Sequence, residues 1–86
     1  MPEISRFFGI IIKMYFQDHN PPHFHAEYGD DKAEYAIETL EILAGKLPKR
    51  ANAMVVEWAS EHREELIINW SKAIIPDSIN KVAPLD

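Results

Sequence analysis

Three successive runs between Ile10 and Glu38 alternate apolar and polar side chains with a period of two, and after Pro48 the period changes to 3.6. That switch constrains the fold more than any other feature, because the first period marks one buried face of a strand and the second one buried stripe of a helix. From Ile10 to Phe16, the residues Ile10, Ile12, Met14 and Phe16 alternate with Ile11, Lys13 and Tyr15. A short strand from Ile4 to Phe8 precedes this one, with Gly9 marking a bend or bulge. His23 to Tyr28 then sets Phe24, Ala26 and Tyr28 on one face and His23, His25 and Glu27 on the other. After the turn "GDDK", Ala33, Tyr35 and Ile37 alternate with Glu34, Ala36 and Glu38, while "TLEILAGKLP" reads as a connecting segment.

The helical part is equally patterned. Pro48 suits a first turn, and Ala51, Met54, Val55, Trp58, Ala59, His62 and Leu66 repeat at the spacing of a single apolar stripe. Glu57, Glu61, Arg63, Glu64 and Glu65 fall mostly on the solvated side, and Pro76 ends the run. A helix of that length in so short a chain invites a break near Asn69 to Ser71. The expectation is therefore a single α+β domain over residues 1–86. Residues 1–45 form an antiparallel β-meander of three to four strands, and one long C-terminal helix, 48–75, packs on one face. Residues 76–86 are a tail or a short edge strand.

Composition narrows the function classes. The chain has 86 residues, enough for one modest core. Its formal net charge of -5 argues against binding nucleic acid through bulk electrostatics. Residues 1–50 hold six of the nine basic side chains against eight acids, so any polyanion is expected there. With no cysteine, disulfides, thiolate metal sites and a cysteine nucleophile are all excluded. The N-terminal "MPEISRFFGIIIKMYF" lacks a basic leader, a small-residue cleavage site and an uninterrupted apolar span of ~18 residues. A cytoplasmic protein without a membrane segment is expected.

The functional candidate is "QDHNPPHFHAEYG", which gathers three of the four histidines, His19, His23 and His25, around a Pro-Pro pair. "DHNPP" reads as a turn and the rest as the strand above. If Phe24 faces the helix, His23, His25 and Glu27 face away from it. They then lie beside Lys13 and Tyr15 of the preceding strand.

Three readings of that patch compete. As an enzyme site, His23 and His25 exchange protons near neutrality, with Glu27 orienting an imidazole, Lys13 meeting developing negative charge and Tyr15 donating a hydrogen bond or stacking on a base. That set suits metal-independent RNA cleavage. As a metal site, His19, His23 and His25 supply three imidazoles, although their spacing matches no strong signature. As plain surface, the two strand histidines are solvated polar residues and His19 belongs to the turn. No cofactor is expected. Lys46, Lys49 and Arg50 at the helix entrance form a second candidate contact for phosphate, against the alternative of a solvated turn. His62 and the two tryptophans, Trp58 and Trp70, read as core residues.

The segments "ISRFFGIIIKMYFQDHNPPHFHAEY" and "IETLEILAGKLPKRANAMVVEWASEHREEL" resemble a family of small bacterial proteins catalogued only as a domain of unknown function. The shared pattern falls on Asp18, His19, Pro21, Pro22, His23, Phe24, His25, Tyr28, Arg50, Trp58 and His62, and the resemblance spans residues 3 to about 75. It implies a toxin-like component of a two-gene type II toxin–antitoxin pair, neutralised by a small antitoxin-like protein encoded by a neighbouring gene and acting on RNA or the translation apparatus. A bare label of transcriptional regulator also occurs in the family, so a non-enzymatic binding or regulatory module is the second expectation. The resemblance assigns no catalytic role to any residue, and a homodimer is compatible with either reading.

Overall fold

The computed structural model describes residues 3–15, 19–73 and 80–86. It is α+β: five strands, β1 (Glu3–Phe7), β2 (Ile10–Lys13), β3 (His23–Tyr28), β4 (Asp31–Ala36) and β5 (Ile42–Gly45), precede two helices, α1 (Lys49–Glu61) and α2 (Arg63–Lys72). Each strand pairs antiparallel with the next, giving a five-stranded meander in the order β1-β2-β3-β4-β5.

The alternation places the core as expected. Ile10, Ile12, Met14, Phe24, Ala26, Ala33, Tyr35 and Ile37 are all buried on the sheet's apolar side, whereas Phe16 lies outside the described residues. On α1, Ala51, Val55, Trp58 and Ala59 are buried, one stripe of the helix. The Trp58 ring lies 5.4 Å from Phe7 and 5.7 Å from Phe24, and Phe24 stacks on Tyr35 at 5.3 Å. Tyr35 Oη donates to Asn52 Oδ1 of α1 at 2.6 Å, a polar tie across an apolar layer. Burial pushes the Tyr35 phenol up to about 12.

Turn chemistry sets the register. Phe8 and Gly9, with φ of 48° and 81°, join the partnered Phe7 and Ile10, and two consecutive positive φ values are what a type I′ two-residue hairpin requires. Gly29, with φ 60°, and Asp30 form the two-residue connection between the partners Tyr28 and Asp31.

Two sequence expectations are corrected. The meander has five strands rather than three to four, because Ile42–Gly45 of the presumed connecting segment pairs with β4. All four residues of β5 are exposed, so no one-sided burial wrote an alternation into its sequence. Gly45 closes the strand with φ 72°, where a Cβ would overlap the Lys32 carbonyl oxygen. The single long helix is also two helices. The chain leaves helical geometry at His62 (φ -123°, ψ 22°), earlier than the Asn69 to Ser71 region. Arg63 Nε, at the start of α2, donates to the Ile37 carbonyl, and Leu66 and Asn69 are buried. No glycine or proline marks that break, so the local sequence carries none of the usual signals.

Within the C-terminal segment, residues 76–79 lie outside the described residues. Residues 80–86 form no assigned strand but lie against β1, with Val82 N–H donating to the Ile4 carbonyl at 2.7 Å. Buried Asn69 holds the Asn80 backbone at both its N–H and its carbonyl, and Trp58 Nε1 donates to the Ala83 carbonyl. No helix among the described residues is long and apolar enough to cross a membrane.

Candidate functional site

The strand register arranges the polar face of the sheet in rows, since directly paired residues share a face. One row is Arg6, Ile11, Glu27 and Lys32; the next is Glu3, Lys13, His25, Glu34 and Ala44; His23 and Ala36 begin a third. The five residues of the expected patch meet here. Lys13 pairs with His25 in the ladder and forms an ion pair with Glu27 at 3.1 Å. The Tyr15 ring stands edge-on to His25 at 4.3 Å, and the His23 ring lies 5.1 Å from that of His25.

Burial along this face is uneven, which departs from the plain-surface reading in which both strand histidines are solvated. His25 is half-buried, but His23 is only 2% exposed. Trp70 of α2 accounts for part of the difference, with its ring 5.2 Å from His23. His23 Nδ1 lies 2.7 Å from the Pro21 carbonyl oxygen, which only accepts, so Nδ1 carries the hydrogen and Nε2 presents its side of the ring to the sheet face. The turn that positions this carbonyl contains a cis Asn20–Pro21 bond.

Glu34 completes the geometry and was not singled out from the sequence. It sits directly across from His25, and its Oε1 lies 3.7 Å from His23 Nε2. Donor atoms of His23, His25 and Glu34 all fall within 4.8 Å of one another, a set that can hold a metal ion. This differs from the all-histidine set. His19 is exposed, with its ring 5.7 Å from His23, and stands outside the group of three. Glu34 was nevertheless legible: with a two-residue turn at Gly29 and Asp30, counting outward pairs residue 25 with residue 34.

The charges on this face are largely matched. Arg6 binds Glu3 through two hydrogen bonds, of 2.7 and 3.1 Å, and the guanidinium holds the Glu3 carboxyl below the usual carboxylate range. Lys13 neutralises Glu27, leaving Lys32 and Glu34 near the histidines. A shallow depression of about 200 Å³ opens there, lined by His25, Lys32, Ala33, Glu34, Ala44 and Gly45.

The remaining candidates lie elsewhere. Lys46, Lys49 and Arg50 are exposed, beyond β5 and in the first turn of α1, outside the histidine group. His62 is half-buried, within what its place on the apolar stripe implies. It occupies the helix junction, bonded through Nδ1 to Glu65 Oε1 at 2.7 Å and 5.6 Å from the Trp58 ring. A wider groove of about 810 Å³ follows that junction from Ser60 to Ile68, built from one local segment. Tyr28, grouped with the core by its alternation, is 38% exposed at the end of β3.

No curated protein and no solved structure matches the chain. Residues 9–71 match a family described as a domain of unknown function (DUF4160), and the match takes in strands β2 to β5, both histidines of β3 and the helix junction. The chain therefore belongs to the DUF4160 family.

Proposed function

We propose that the protein is the toxin-like member of a two-gene pair and acts on RNA through the polar sheet face centred on His23 and His25. The observation that carries this reading is the convergence of Lys13, Tyr15, His25 and Glu27 beside a buried His23 whose ring orientation is set by a backbone carbonyl. Preorganisation of this kind holds reacting groups in place before a substrate arrives. In this arrangement Lys13 meets a phosphate, Tyr15 stacks on a base and the imidazoles with their carboxylate neighbour form the reactive centre. The resemblance of the "DHNPPHFH" core to proteins encoded beside a small antitoxin-like partner supports the two-gene half of the proposal.

A second reading, a protein-docking module, is favoured by β5. Its Ile42 and Leu43 are 42% and 45% exposed, and it ends the sheet order. An exposed apolar edge is a template for pairing with another chain. Expression with and without the neighbouring gene separates the two. The RNA reading expects growth to slow without the neighbour and to recover with His25→Ala; undiminished growth, or arrest that persists in a folded His25→Ala variant, removes it in favour of docking.

A further inference from the structure

We infer that His23, His25 and Glu34 form a binding site for one divalent transition-metal ion of the zinc type. The inference rests on the polar face being the working surface, as proposed above, but not on RNA being its target.

The donor set has the right chemistry: two imidazoles and one carboxylate bind zinc and its neighbours in sites that keep positions open for water or substrate. The scaffold has the right rigidity, since His23 and His25 sit two residues apart on one strand and Glu34 lies directly across from His25 in the ladder. Short-range register rather than a flexible loop sets their separation.

His23 is prepared as a ligand. Donation from Nδ1–H to the Pro21 carbonyl fixes the tautomer whose lone pair is on Nε2, the outer-shell arrangement characteristic of metal-ligating histidines. The 3.7 Å from Nε2 to Glu34 Oε1 exceeds a hydrogen bond but lies within what two ligand bonds of about 2.1 Å can span. The whole donor group lies within 4.8 Å, so the half-buried His25 and Glu34 need close on the fixed His23 only by side-chain rotation.

Electrostatics adds an independent reason. Arg6 and Lys13 are each paired with a carboxylate and Lys32 is balanced in charge by Glu34, and a face without excess positive charge has little attraction for a phosphate. A divalent cation bound at His23, His25 and Glu34 turns the same surface locally positive, beside the depression lined by Lys32 and Ala44. This gives an acidic chain a way to engage an anionic substrate.

The test is zinc titration by calorimetry of the full chain, purified without a histidine tag and stripped with chelator. Circular dichroism confirms that each variant is folded. The expected result is saturation at one equivalent, with affinity weakened at least about tenfold in both His25→Ala and Glu34→Gln and unchanged in His62→Ala. Absence of saturable binding overturns the site. So does loss of binding in His19→Ala with retention in Glu34→Gln, which assigns the ion to the three histidines instead. Growth assays read the RNA proposal separately: one-equivalent binding that depends on Glu34, in a protein without effect on growth, upholds the metal site and discards the RNA target.

Discussion

Strand β3 builds both faces of the sheet from alternate residues, and the two faces are finished in different ways. Phe24 and Ala26 meet a helix that seals them completely, within the Phe7, Tyr35 and Trp58 cluster. His23, His25 and Glu27 face a side on which exposure changes within one strand, from buried His23 beside Trp70 to half-buried His25 and Glu27. At Phe24 and Ala26 the first face excludes water by packing, while the second is a graded pocket edge. The gradient creates two dissimilar histidines from a symmetrical-looking H-F-H triplet. His23 is fixed and His25 is accessible, the combination from which a ligand site or reactive centre can be made.

The comparison is tested most severely at the sealed face. Trp58→Ala removes the side chain that joins Phe7 to Phe24 and also frees the Ala83 carbonyl. A loss of about 3–5 kcal/mol is expected in denaturant unfolding. A loss below about 1 kcal/mol shows that α1 does not seal the sheet in the way described.

The graded face predicts an asymmetry between neighbouring histidines. His23→Ala empties a buried position beside Trp70 and removes the hydrogen bond to the Pro21 carbonyl, at a cost of about 1–3 kcal/mol. His25→Ala changes stability by about 0.5 kcal/mol or less while weakening zinc binding at least about tenfold. Equal costs in the two variants contradict the gradient.

The smallest effect belongs to the polar tie across the sealed face. Tyr35→Phe loses the hydrogen bond to Asn52, about 0.5–1.5 kcal/mol at neutral pH. Because the folded-state pKa is raised to about 12, from an ordinary value of 10, this phenol's contribution is fully present below about pH 10. It is lost as pH rises through about 12, where the ionised form is the one the fold disfavours. The difference in unfolding free energy between wild type and Tyr35→Phe therefore shrinks over that interval. A difference that stays constant across it indicates that Tyr35 is not sealed from water.

Much of this fold was legible in the residues. Alternation in Ile10 to Met14 and in Phe24 to Ala26 named the buried side correctly, and the stripe from Ala51 to Ala59 named the helix surface that covers it. Tyr28 broke the pattern at the last position of β3, where the strand runs into the Gly29 and Asp30 turn. The fifth strand escaped because β5 is exposed throughout, and a strand without a buried face has no reason to alternate. The break at His62 escaped because the apolar stripe continues through it to buried Leu66.

The candidate site divides along the same line. Placement of His23, His25 and Glu27 opposite Phe24 follows from the two-residue period of a strand, and Glu34 follows from His25 by counting around the Gly29 and Asp30 turn. These relations are local, so a single sequence contains them. The meeting of Lys13 with His25 across a longer connection was expected but depended on hairpin pairing that no local count could set. Nothing in the order of residues places Trp70 beside His23, or the 80–86 segment along β1. Sequence periodicity determined which side chains share a face. Only tertiary packing decided how deeply each lies, because burial depends on which distant segment arrives to exclude water.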